Sequence, residues 1–199
     1  MGIQRIELLF PGEDWPFAEI VIPPDPDPDP EPEPTEVLFT SQMPSAVNQA
    51  DGTYTLGTLF SAAVDGKILG IRAYVASTPP STGPLGLLYE WSSNTAGILR
   101  ASKAFGTIVP NSWNTILFDT PFDILAGVTY VAAWGPTNSY CASSNFFTST
   151  ALVNGNLTAP MSTSPKLNGK FKVNATATYP DQEFNDGCYF VDPVFQANA

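Results

Sequence analysis

Residues Trp113–Trp134 read WNTILFDTPFDILAGVTYVAAW, and this stretch decides the fold class. Two apolar runs, Trp113–Phe118 and Val128–Trp134, flank a turn-rich middle containing Pro121 and Ala126-Gly127. The first run partly alternates, with Trp113, Ile116 and Phe118 apolar and Asn114, Thr115 and Asp119 polar. The second is β-branched and aromatic, as suits a strand packed against a second layer. Neither run has helical spacing. Both read as strands of a sandwich core.

Outward from this pair, strand-like runs recur. They are Tyr54–Phe60, Lys67–Val75, Gly86–Trp91, Ile98–Phe105 and Cys188–Phe195. Gly-, Pro-, Asn- and Ser-rich separators divide them, among them Asp65-Gly66, the 78–84 stretch TPPSTGP, the 94–97 stretch NTAG and Pro110-Asn111-Ser112. Short strands at this spacing predict an all-β, jelly-roll-like antiparallel sandwich over residues 37–199. Residues 142–186 are less regular and carry long polar loops. A charged fraction of only 14% fits an all-β chain. Pro193, inside the last run, predicts an edge or a bulge there.

Two further segments precede the sandwich. Residues 1–22 are an apolar arm carrying Ile3, Ile6, Leu8, Phe10, Trp15, Phe17, Ile20 and Ile22, split by Pro11-Gly12-Glu13-Asp14. So apolar a pair of short segments needs a surface to cover, either its own domain or, the preferred reading, a partner bound by strand addition or groove insertion. Residues 23–36, PPDPDPDPEPEPTE, are an acidic linker with proline at every other position from Pro24 to Pro34. Proline fixes φ and extends its neighbour, so a polyproline stalk of about 40 Å is expected.

The net charge of −11 is uneven. Residues 1–36 hold ten acidic residues against Arg5, while residues 37–199 hold nine acidic and seven basic. The near-neutral sandwich offers no basic patch, so neither nucleic-acid binding nor docking to an anionic membrane is expected. No run approaches the ~18 apolar residues of a membrane helix. Met1–Phe10 does not read as a secretion signal: Glu7 breaks its apolar run and no small-residue cleavage site follows.

The chain has no histidine, which excludes nucleophile–His–acid and Cys–His sites. Cys141 and Cys188 alone do not close a zinc site; they form either one disulfide or two buried thiols. No cofactor, metal or catalytic residue is expected, and the protein is read as non-enzymatic. Paired carboxylates hydrolyse glycosidic bonds, but most of Asp51, Asp65, Glu90, Asp119, Asp123, Asp181, Glu183, Asp186 and Asp192 sit in turns where Asp caps backbone groups. The 181–187 loop DQEFNDG lacks EF-hand spacing and reads as a solvated acidic loop. Asp192, between Val191 and Pro193, reads as a structural carboxylate accepting turn N–H bonds.

Several segments resemble domain-of-unknown-function family 4082, a bacterial extracellular β-sandwich family. They are YTLGTLF (54–60), DGKILGIRAYV (65–75), GLLYEW (86–91), GILRASKAF (97–105), the 111–147 stretch NSWNTILFDTPFDILAGVTYVAAWGPTNSYCASSNFF and YPDQEFNDGCYFVDPVF (179–195). The chain departs from the family pattern at Ala73, Cys188 and Pro193. The resemblance implies a jelly-roll-like domain but no known activity. Similar domains accompany surface and carbohydrate-active modules, and resemble domains in tail proteins of phages of Actinobacteria.

The expected function is that of a non-enzymatic phage virion protein, a minor tail or surface decoration protein. It would be made in the host cytoplasm and carried in multiple copies on the virion surface, held to other virion proteins through residues 1–22. The alternative is a carbohydrate-binding module of a bacterial surface system. Sugar rings stack on aromatics while Asn, Asp and Ser take their hydroxyls. The candidates for contact with a host cell-wall glycan are Trp91, Trp134, Asn138, Tyr140 and Asn145, with Tyr89, Phe146 and Phe147 behind them. Asn138 and Tyr140 lead, because the 135–139 stretch GPTNS reads as an exposed loop beside an aromatic.

Overall fold

The computed structural model describes residues 34–198. Most of the linker lies outside them. So does the proposed arm, with Ile3, Ile6, Leu8, Phe10, Trp15, Phe17, Ile20 and Ile22.

The described chain is all-β. In order the strands are β1 Thr35–Glu36, β2 Ala46–Gln49, β3 Tyr54–Ala62, β4 Gly66–Val75, β5 Leu85–Ser93, β6 Ala96–Ala104, β7 Ser112–Ile124, β8 Thr129–Thr137, β9 Tyr140–Ala142, β10 Leu152–Asn154, β11 Leu157–Ala159, β12 Lys170–Val173, β13 Gln182–Glu183 and β14 Val191–Ala197. No helix among the described residues is long and apolar enough to cross a membrane. One sheet runs β1-β14-β4-β7, and a second runs β10-β11-β3-β8-β5-β6, with β12 also on β3 and β13 on β12. β2 and β9 form a separate ribbon. The two large sheets pack as an antiparallel sandwich around Leu56, Phe60, Ile68, Ile71, Trp134 and Phe195.

The two runs that decide the fold differ because their strands are covered differently. β8 is central, paired with β3 and β5. Its Tyr130, Ala132 and Trp134 enter the main core. Its Val131 and Ala133 join a second cluster with Leu59, Leu87 and Tyr89, against which Ala177 and Tyr179 pack. A strand covered on both faces reads as a continuous apolar run. β7 is an edge strand paired only with β4, so it alternates.

β7 corrects the sequence reading at Pro121: the strand continues through it to Ile124, and only residues 125–128 turn. The register jumps there, from Gly70↔Leu117 to Ile68↔Phe122. Pro121, which has no N–H to donate, lies in that irregular stretch. Pro193 behaves similarly. A register shift follows at Val194/Phe195, and β1 flanks β14 only at Phe195 and Gln196. A second boundary moves too. Thr35–Glu36, read as the end of the linker, belong to the sandwich. The Glu36 carboxylate accepts from the Asn156 N–H (2.5 Å) and Nδ2 (2.6 Å).

Two buried polar devices hold the frame. β11 and β12 share one edge of β3 and leave Leu59 between them. Asn168, fully buried, fills that gap. Its Oδ1 accepts from Leu59 N at 2.8 Å and its Nδ2 donates to Leu59 O at 3.2 Å, as a neighbouring strand would. The second device is the structural carboxylate expected at Asp192. It accepts from Leu38 N (2.8 Å) and Phe39 N (3.1 Å), and from Arg72 Nε (2.8 Å) and Nη2 (2.5 Å). Arg72 also donates to Phe39 O, and its guanidinium lies 4.2 Å over the Trp113 ring. Burial pushes the Asp192 carboxyl up to about 6, against the downward pull of Arg72 and of the two backbone N–H groups. Cys141 and Cys188 are free buried thiols, not a disulfide.

Candidate binding cleft

Segments distant in sequence meet at one end of the sandwich. The β2–β9 ribbon places Gln49 opposite Tyr140. The following turn supplies Asp51, and β3 starts at Tyr54. β12 pairs Phe171 with Leu56. The 183–187 turn closes the group: Glu183 Oε1 accepts from Asp186 N at 2.5 Å, and Gly187 N donates to Phe184 O at 3.1 Å. Asn185 and Asp186 take positive φ (52° and 44°), which short polar side chains tolerate. Ser143 and Cys188 exchange backbone hydrogen bonds and tie the turn to the chain after β9. Gly169 (φ 70°) lets the turn approach, since a Cβ there would lie 1.9 Å from Gly187 O.

Four rings form a closed circuit. Centroid separations are 5.3 Å for Tyr54–Tyr140, 5.9 Å for Tyr140–Tyr189, 6.4 Å for Tyr189–Phe171 and 6.2 Å for Phe171–Tyr54. Neighbouring planes are steeply inclined, between 62° and 72°. These rings, with Asp51, Leu56 and Phe184, line a cavity of about 250 Å³. Leu56 is buried, whereas Phe184 is 61% exposed. An adjoining cavity of about 320 Å³ shares Asp51, Tyr140, Phe184 and Tyr189 and adds Ser45, Gln49, Ser143 and Ser144. The cleft therefore has an aromatic lobe and a polar lobe, with Tyr140 common to both.

Among the described residues, Asp51 is the one charged residue in its lining. No lysine or arginine lines either lobe. Tyr140 Oη donates to Asp51 Oδ1 at 3.0 Å. Burial, reinforced by Asp51, raises the Tyr140 and Tyr54 hydroxyls above the usual tyrosine range. Tyr189 is pushed up to about 12 by burial and then by the charge of Glu183. All three stay neutral hydrogen-bonding phenols at neutral pH.

Of the five residues singled out for glycan contact, only Tyr140 lines this cleft. Trp134 is a core residue, 1% exposed, and no sugar face reaches it. Trp91 packs at the second hydrophobic cluster with Lys166 Nζ 5.6 Å from its ring centroid. Asn138 spends its amide on the neighbouring loop, accepting from Ser81 N and donating to Ser81 Oγ, both at 3.1 Å. Asn145 takes positive φ, and its N–H donates to Asn185 O at 2.8 Å, bracing the cleft turn from outside. Tyr89 and Phe147 are buried, and Phe146 packs on the core. Sequence reading missed Tyr54, Phe171, Phe184 and Tyr189, and weighed Asp51 only as half of a hydrolytic pair.

Four of the other carboxylates have structural partners. Asp65 Oδ1 accepts from Ala126 N in the β7–β8 turn (2.7 Å), while Glu90 meets Arg100, Asp119 meets Lys103 and Asp181 meets Lys172. Among the described residues no three His, Cys, Asp or Glu converge as metal ligands.

Fold and cleft together define an antiparallel β-sandwich with an aromatic, acidic groove at one end. Residues 41–191 match the family model described as Domain of unknown function (DUF4082). The chain belongs to that family, and the matched span contains every residue of the cleft. No curated protein matches the chain.

Proposed function

We propose that the sandwich is a non-enzymatic binding module that holds a surface saccharide in the tyrosine cleft. In this reading residues 1–22 anchor it to a phage particle, as a tail or surface decoration protein in several copies, and residues 23–36 space it outward. The observation that carries the binding role is the two-lobed cleft. One lobe presents rings for the C–H faces of a sugar, and the other presents Gln49, Ser45 and Ser144 for its hydroxyls. Binding sites are concave, largely apolar and furnished with a few polar groups, and this groove has that composition. A carbohydrate-binding module of a bacterial surface system would use the same cleft. What favours the particle is the apolar arm joined to an acidic proline segment.

Two experiments test the two parts. The full chain and its Tyr140→Ala variant are applied to host cell-wall fractions; retention of the wild type and its loss in the variant are expected. Equal retention of both would remove the cleft from the proposal. For the arm, deletion of residues 1–22 should abolish co-sedimentation with particles. Undiminished incorporation would contradict the anchoring role.

A further inference from the structure

We infer that the aromatic lobe is a subsite for a compact organic ammonium group, such as the free amine of an amino sugar or a choline-like head group. This deepens the saccharide reading of the same cleft and rests on it. The four centroids stand about 6 Å apart around the circuit. The rings line one cavity of about 250 Å³ together with Asp51, and a cation seated in it over the face of any of these rings, within ~6 Å of its centroid, is attracted to that ring. Neighbouring rings meet edge to face, at 62° to 72°.

Charge supports the same ligand. Asp51 lines the lobe and is exposed, and Tyr140 donates to one of its oxygens. Glu183 also acts on Tyr189. With no basic residue lining either lobe, the groove repels phosphate and carboxylate groups and favours a cation.

The chain already builds one finished version of this arrangement. Arg72 is a cation held at once over the Trp113 ring and against the Asp192 carboxylate. The cleft has the rings and the carboxylate, and the cation would come from the ligand.

The test is calorimetric titration of the full chain with two matched pairs. Choline is compared with 3,3-dimethylbutan-1-ol, which has its shape without the charge, and glucosamine is compared with N-acetylglucosamine. The charged member of at least one pair should bind about tenfold more tightly, and the pair that shows this identifies the carrier. Asp51→Asn, at an exposed residue, should keep the fold and weaken that binding several-fold. Equal affinities within both pairs would overturn the subsite. The saccharide reading has its own readout: loss of cell-wall retention in Tyr140→Ala would uphold it even then, and equal retention would remove it.

Discussion

Among the places where charge meets aromatic rings in the described residues, the Asp192 clamp and the cleft differ in what fills them. At the Asp192 clamp, carboxylate, guanidinium, backbone N–H groups and the Trp113 ring satisfy one another, and the carboxylate is fully buried. At the cleft, Asp51 is exposed, and the rings line a cavity instead of holding a side chain. The first fastens Leu38 and Phe39 to β14. The second is left open to solvent. A buried charge requires full pairing, whereas an exposed carboxylate beside rings can wait for a ligand. The same side-chain chemistry thus serves stability in one place and recognition in the other.

The largest effect should come from breaking the clamp. Asp192→Asn strips Arg72 of its counter-charge and turns an acceptor into a donor facing other donors. Chemical denaturation should show a loss of about 3 kcal/mol; a loss below about 1 kcal/mol would show that the clamp is not needed.

An uncharged buried group sharpens the contrast. Asn168→Ala leaves Leu59 N and O unpaired in the gap between β11 and β12, so about 2 kcal/mol should be lost. A change near zero would mean that water or backbone adjustment replaces the amide.

Protonation is the gentler probe of the clamp. The folded carboxyl of Asp192 binds its proton more tightly than the unfolded one, whose ordinary value is 3.8. Its contribution is therefore fully present below that value and lost as pH rises through about 6. Wild type should gain stability relative to Asp192→Asn between pH 6 and pH 4. A difference curve that is flat, or that slopes the other way, would contradict the burial effect.

The smallest change belongs to the open site. Asp51→Asn should alter stability by no more than about 0.5 kcal/mol, because its carboxylate is solvated. A loss comparable with that of Asp192→Asn would make the cleft a second structural clamp.

Much of this frame was legible in the sequence. The seven longer strands announce themselves by runs of apolar and β-branched residues, and Asp192 by its apolar neighbours. The remaining strands, such as β9 and β12, are two to four residues long, too short to show a period, and exist because a longer neighbour offers an edge. Pro121 misleads because it signals a turn locally, while the β4 pairing on both sides absorbs it as an irregularity. The cleft was legible only through Tyr140, an aromatic next to a polar loop. Its other rings come from residues 54, 171 and 189, which only the pairing of β12 with β3 and the Ser143–Cys188 bridge bring together. Asn138 looks available in sequence, but Ser81 occupies its amide. Trp134 looks like a platform until the second layer covers it.

The most direct test of the open cleft is a nuclear magnetic resonance titration of the isotope-labelled full chain with tetramethylammonium chloride, using sodium chloride as the control. Saturable shifts confined to Tyr54, Tyr140, Phe171, Tyr189 and the 183–187 turn are the expected result. Shifts centred elsewhere, or none beyond those given by sodium chloride, would contradict it.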